Sequence, residues 1–268
     1  MVKLNGQINI NRYNAIRPKG PLWDNDLFYA RFIKLYNFAY TIAEKTSSPK
    51  GIALDAATGL GYGAKILNGF FENVYGIDIS DEALNYAKAN YEGPIFRKGN
   101  VLNLPFDDNF FEAVFSIETL EHLQRQDHDK YLNELIRVTK QGGLIFISTP
   151  NKPIYSSVHS VKDHIGELDC LELKSLVSNR VRSDVEYYQF GVSYGKSLCK
   201  LNNIEKYSPL ARKIYGRVLG LPCSRKIKLR EAVEFWDINT ISTGNESSGY
   251  LNMVVISQLQ KSEGINAK

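Results

Sequence analysis

Cysteine is scarce in this chain: Cys170, Cys199 and Cys223 are the three present, widely spaced and without a C-x-x-C pair. An odd, scattered set excludes a disulfide framework and offers no zinc-finger spacing, so all three read as ordinary thiols. Long apolar runs are also lacking. Nothing approaches the roughly 18 consecutive apolar residues of a membrane span, and the polar opening MVKLNGQINI has no signal-peptide core. A cytoplasmic location is the resulting expectation. Strong net charge is missing too, because the formal +4 over 268 residues is too small to imply a nucleic-acid partner by itself. There is no internal repeat and no low-complexity tract.

What is present is ordinary globular material, 43% hydrophobic and 23% charged, enough for a buried core in one α/β domain with elaborations. The opening segment, with Gly6, Pro18, Gly20 and Pro21, reads as an irregular arm. From about Asp24, Phe28, Phe32, Leu35, Ala39 and Ile42 recur at helical spacing and predict a long first helix. The turn-rich SSPKG (Ser47 to Gly51) ends it. Strands are then expected at Ile52 to Asp55, Val74 to Asp78, Ile95 to Arg97, Ala113 to Ile117 and Leu144 to Thr149. Helices are expected around Ala64 to Asn68, Asp81 to Asn90, with Ser80 as N-cap, and Asp127 to Lys140. This alternation implies a doubly wound, mostly parallel sheet. Beyond Pro150, LELKSLV reads as a helix and VEYYQFGV and YLNMVVISQ as strands. The expected division is an arm and helix over 1–46 and a ligand-binding domain over 47–268, carrying a basic insertion at about 192–235.

The segment IALDAATGLGYGAKIL, Ile52 to Leu67, runs an apolar strand into Asp55 and then Gly59, Gly61 and Gly63 before a helix. Glycines there permit a tight turn and let a ligand lie against the backbone. The next strand ends on Asp78, placed to accept from both hydroxyls of a ribose, a device that dinucleotide folds share. A dinucleotide fingerprint wants its third glycine where this chain has Ala64, and alanine is tolerated there, so a nicotinamide-dependent oxidoreductase stays open on these residues alone.

Five blocks in order carry a resemblance to a family: LDAATGLGYG, GIDIS, GNVLNLPFDDNFFEAVFSIETLEHL, LIRVTKQGGLIFISTPN and KDHIGELDCLELKSL, over roughly residues 50–176, with LYNFA upstream. The chain resembles the class I S-adenosylmethionine (SAM)-dependent methyltransferases. It looks most like the type 11 small-molecule branch, particularly members of bacterial surface-glycan pathways. The resemblance implies a seven-stranded Rossmann-like α/β fold with an N-terminal helical lid and a C-terminal insertion. It implies that Asp55 and the backbone from Ala57 through Gly59 to Gly61 hold the amino-acid part of SAM. Asp78 and Ile79 would hold the ribose and adenine, while Asn100, Val101 and Leu102 line the adenine edge. Ala57 stands where many relatives have glycine, and Asn100 where an acid is common.

Ser116 to His122, the SIETLEH passage, borders both SAM and the acceptor in that family. Glu118 and His122 are four apart and would share one helical face if the chain turns at once after the strand. A base there would relieve a hydroxyl acceptor of its proton as it attacks; the alternative is that His122 only packs or caps. His164, in an H-x-x-E pattern, falls on the loop that faces the acceptor in relatives, with Asn151 and Tyr155 as further candidates for the pocket wall. No metal is expected, because His159 and His164 come without acids at fixed spacing and the sulfonium already activates the methyl group.

Between Lys196 and Arg230 ten Lys or Arg face the single acid Glu205. Leu210, Ile214 and Val218 could form one apolar face of a helix there. Such a segment suits a solvated cap or a cover for a phosphorylated sugar, a lipid-linked glycan at a membrane surface, or RNA, although no aromatic-basic pattern singles out nucleic acid. The expected acceptor is a small molecule or glycan precursor methylated on oxygen or nitrogen. Rival readings are C-methylation of a quinone-like ring and a SAM-binding subunit without turnover.

Overall fold

The computed structural model describes Pro18 and residues 26–46, 51–155, 162–181, 184–190, 238–240, 251–257 and 259–261. His159, Cys199, Cys223 and the basic stretch from Lys196 to Arg230 lie outside them. Helix α1 (Asp26–Thr46) is followed by β1 (Ile52–Ala56), α2 (Tyr62–Leu67), β2 (Asn73–Asp78), α3 (Asp81–Asn90), β3 (Ile95–Lys98) and β4 (Phe111–Ile117). Next come α4 (His128–Val138), β5 (Thr139–Pro150), the single turn α5 (Lys152–Tyr155), α6 (Cys170–Ser178) and β6 (Asp184–Phe190). The short β7 (Ile238–Thr240) and β8 (Leu251–Ser257) complete one sheet in the order β3-β2-β1-β4-β5-β8-β6-β7. The seven expected strands are all there, and β7 adds an eighth at the edge.

Strands β1 to β5 pair in parallel and β8 runs antiparallel between β5 and β6. The alternation of side chains sorts the core into two layers. On one face Phe115 and Phe146 meet Phe38, Ala39 and Ile42 of α1; on the other Val114, Ile145 and Ile147 meet Tyr131, Leu135 and Ile136 of α4. Parallel strands covered on both faces have to be apolar throughout, which is why β4 and β5 read as continuous hydrophobic runs. Within the apolar stripe of α1, Phe32, Leu35, Ala39 and Ile42 are buried as the spacing predicts.

Local chemistry sets the element ends. Ser80 accepts the Ala83 N–H at 3.2 Å and caps α3. Helix α4 stops short of the expected Lys140, because the Thr139 hydroxyl bonds the Leu135 carbonyl at 2.6 Å and the chain turns directly into β5. The reversal of strand order beside β1 makes a crevice between β1 and β4 at the carboxyl edge, where open sheets of this kind take ligands.

Candidate functional site at the carboxyl edge of the sheet

Three backbone positions shape the turn after β1. Ala57, Gly59 and Gly61 all have positive φ, at 61°, 53° and 82°. The glycines then divide by task. A β-carbon on Gly59 would meet nothing within 4 Å, so this glycine leaves open space above the turn. At Gly61 it would strike Ala87 and Phe96, and at Gly63 the hydroxyl of Tyr36, so these two serve close packing.

Asp55, at the end of β1, is 1% exposed. It accepts from Tyr36 Oη at 3.0 Å and Thr58 Oγ1 at 2.6 Å. Burial raises its carboxyl to about 6, against the lowering effect of these two donors and the Ala64 N–H. The same burial raises the Tyr36 phenol, helped by the Asp55 charge beside it. Asp78 closes the turn from β2: one carboxylate oxygen accepts the Gly59 N–H at 2.8 Å and the other the Ser80 N–H at 2.9 Å. Each oxygen keeps a further lone pair. Ile79, next in the chain, is 68% exposed, an apolar side chain displayed at the strand end. Below it the Asn100 side chain accepts the Leu102 N–H at 2.9 Å in an Asx turn, and Val101 is buried.

On the other side of the crevice β4 ends abruptly. Glu118 takes φ 56°, with its N–H on the Ser148 carbonyl at 3.0 Å, and the chain enters a single 3-10 turn, Leu120–His122. The turn therefore starts after Glu118, and the expected common helical face for Glu118 and His122 does not form. Glu118 instead accepts from the Ser148 hydroxyl at 3.3 Å. The Ser116 hydroxyl is taken up inside the core, accepting from Tyr131 at 2.7 Å.

His122 and His164 meet although 42 positions separate them in the chain. Their rings lie edge to face with centroids 4.9 Å apart. The Gly166 N–H donates to the Glu121 carbonyl at 2.9 Å and pins the later loop to the 3-10 turn; a β-carbon on Gly166 would run into the Leu123 carbonyl. His122 Nδ1 lies 3.1 Å from the Asp163 carbonyl and His164 Nδ1 lies 2.9 Å from Glu167 Oε1, the H-x-x-E pair of the sequence. Burial, with the His164 charge adding to it, holds the His122 imidazole below its ordinary value. Asn151 is buried and bridges to Leu168, which ties the end of β5 to the same loop.

Residues 54–147 match the model of the Methyltransferase domain. A Mycolicibacterium smegmatis protein named a probable S-adenosylmethionine-dependent methyltransferase is 30% identical over 152 residues, covering 56% of this chain and 58% of its own length. A Mycobacterium tuberculosis protein of the same name is 26% identical over 197 residues, 72% of this chain and 70% of that one. Over residues 54–147 the chain is similar to the SAM-dependent methyltransferases.

These relatives are named for S-adenosyl-L-methionine as their methyl donor. A SAM-dependent methyltransferase of Thermotoga maritima superposes with a TM-score of 0.53 at 16% identity, over 86% of this chain and 94% of that one, which shows the shared fold. The M. smegmatis fatty-acid O-methyltransferase is 32% identical over 148 residues, 53% of this chain and 52% of that one. Three further side chains at this edge are not singled out by the sequence. Tyr36, on α1, and Thr58, in the turn after β1, both donate to Asp55. Glu121 is buried, with its carboxylate accepting from Thr149 Oγ1 at 3.0 Å.

Proposed function

We propose that the protein transfers a methyl group from SAM to an oxygen or nitrogen of a small polar acceptor, a sugar or glycan precursor, held at the end of β4. The observation that carries this reading is the edge-to-face approach of His122 and His164 just beyond the carboxyl end of β4. The loop from Lys162 to Leu168 is charged and polar apart from Ile165, Gly166 and Leu168, which suits a polar acceptor better than a quinone ring.

The residues after β1 and β2 fit the donor. Asp55 would face its ammonium group, the backbone from Ala57 to Gly61 its carboxylate end, and Asp78 its ribose hydroxyls through the lone pairs left over from Gly59 and Ser80. Exposed Ile79 would meet the adenine, with Asn100, Val101 and Leu102 along its edge and the Ser116 backbone beneath. SAM supplies a methyl group already made electrophilic by its sulfonium. The chain's own work is to hold the acceptor in line and receive its proton. His122 Nδ1 donates to the Asp163 carbonyl, which leaves Nε2 as the accepting nitrogen.

Helix α1 serves as the lid over Asp55, supported by the Tyr36 bond, and the domain proper begins near residue 47. The basic stretch from Lys196 to Arg230 would attract a phosphorylated acceptor or a membrane surface from the cytoplasmic side. The test is methyl-labelled SAM offered with sugars, sugar phosphates and nucleotide-sugars, with a fatty acid and a quinone as competitors. Transfer to a sugar class, reduced about 100-fold or more in His122→Ala and His164→Ala at unchanged S-adenosylhomocysteine affinity, is the expected result. Labelling of the fatty acid or quinone alone, or no labelled product and no effect of either variant, would overturn it.

A further inference from the structure

The Glu121 carboxylate, His122 and His164 each present one ligand atom within 4.8 Å of the others, at the mouth of the acceptor side. We propose that these three side chains form a binding site for a divalent transition cation of the Mn2+, Co2+ or Zn2+ class.

Histidines that hold metals give their second ring N–H to a carboxylate or a backbone carbonyl, which fixes the tautomer and turns the other nitrogen toward the ion. Both arrangements are here: His164 Nδ1 on Glu167 Oε1 at 2.9 Å and His122 Nδ1 on the Asp163 carbonyl at 3.1 Å. Each ring therefore has Nε2 as its lone-pair nitrogen. His122 Nε2 lies 4.0 Å from Glu121 Oε1. Ligands at about 2.0–2.2 Å from a shared ion sit about 3–3.5 Å apart, so an ion needs to draw this cluster in by roughly 1 Å.

The carboxylate is the decisive member. Glu121 is 1% exposed, and its other oxygen is held by Thr149 Oγ1 at 3.0 Å, so it is aimed and kept from swinging away. His164 is 9% exposed while His122 is 47% exposed, so two ligands come from the protein interior and one from its rim, leaving a side open to an incoming molecule. Two imidazoles and one carboxylate form a borderline donor set that suits first-row transition ions better than Ca2+.

The sequence reading missed this because it paired His164 with His159 and sought acids at fixed spacing along the chain. The acid is instead the neighbour of His122, and the fold supplies the second histidine. Placed there, an ion would coordinate an acceptor hydroxyl and acidify it, so that its proton passes to solvent and His122 serves as a ligand in place of a base. This use rests on the proposed acceptor site; the binding of the ion does not.

The full chain, stripped with a chelator, is titrated with Co2+ and followed by visible absorption, with Mn2+ followed by electron paramagnetic resonance. Saturation at one Co2+ per chain is expected, weakened about tenfold or more in Glu121→Gln and His164→Gln and to a similar or smaller extent in Glu167→Gln. Because Glu121 is buried, His122→Gln, whose side chain is half exposed, serves as the variant least disturbing to the fold and is expected to weaken Co2+ equally. S-adenosylhomocysteine titration and thermal melting report the fold and donor site separately. No saturation by about 1 mM Co2+, or saturation that all three ligand variants leave unchanged, would sink the site. If Co2+ binds while no acceptor is ever methylated, the cation site stands and the acceptor reading falls.

Discussion

Asp55 is a buried acid raised to about 6, and its sign can be worked through. Above that pH it is a carboxylate able to face an ammonium; below it the free protein holds a proton that a cationic ligand has to displace. Affinity for S-adenosylhomocysteine should therefore fall as pH drops through about 6, by up to about tenfold per unit, measured by calorimetric titration. The Tyr36 hydrogen bond lowers this acid, so Tyr36→Phe should move the loss to higher pH, while Asp55→Asn should flatten the profile. Ala57 offers a second check. Held at φ 61°, it sits in backbone space that disfavours a side chain, so Ala57→Gly should stabilise the fold by about 1 kcal/mol, read as a higher urea midpoint at unchanged slope. The strain at Glu118, φ 56°, differs in kind: it marks the place where β4 is broken to present the SIETLEH passage. Sequence alone could name Asp55 and Asp78, because strand-end acids after apolar runs are visible in one dimension. Tyr36 was not legible, since what identifies it is its collision course with Gly63, a contact across 27 positions.

Helices and strands were legible wherever a period was sustained, as in α3, whose limits Asp81 and Asn90 and whose Ser80 cap are those expected. β4 ends at Ile117 as expected, but the helical face shared by Glu118 and His122, which required the chain to turn at once, does not form because the positive φ at Glu118 delays the turn. The loop from Lys162 to Leu168 was legible as a loop but not in its docking, in which Gly166 makes the closest approach. Gly166→Ala places a methyl group against the Leu123 carbonyl and breaks the bond to Glu121. It should cost about 1–3 kcal/mol in urea unfolding and part His164 from His122. Arg125 anchors the same loop from below, with two bonds to Glu172 at 2.6 and 3.0 Å and one to the Glu167 carbonyl at 2.6 Å. Arg125→Lys, which cannot fork, should loosen the loop more than its conserved charge implies, detectable as faster amide exchange at Gly166 and Leu168.

At the scale of the molecule, α1 is part of the core as much as a lid. Ile33, Leu35, Phe38, Ala39, Ile42 and Ala43 are buried against the sheet face that carries Phe115 and Phe146. At about 1.5–3 kcal/mol for each large side chain, their contribution is comparable to the 5–15 kcal/mol of a whole domain. A chain starting at residue 47 should therefore fail to give a cooperative thermal transition, and solubility with near-native melting would show α1 to be an appendage. No helix among the described residues is long and apolar enough to cross a membrane. The general architecture was legible from strand–helix alternation, whereas the placement of β8 inside the sheet was not, since nothing in YLNMVVIS says which neighbours it will separate. That placement has a consequence for how such a chain can change. Phe190 and Leu251 are register partners, so the stretch between β6 and β8, which also supplies β7 at the sheet edge, begins and ends at adjacent points. Loop closure grows slowly with length, by about 0.6 kcal/mol per doubling, so a segment sprung from a closed base can be lengthened, shortened or exchanged with little penalty to the sheet that carries it. The residues proposed for the donor, Asp55 to Ser116, all precede this stretch, so new specificities could be tried between β6 and β8 without rebuilding the core.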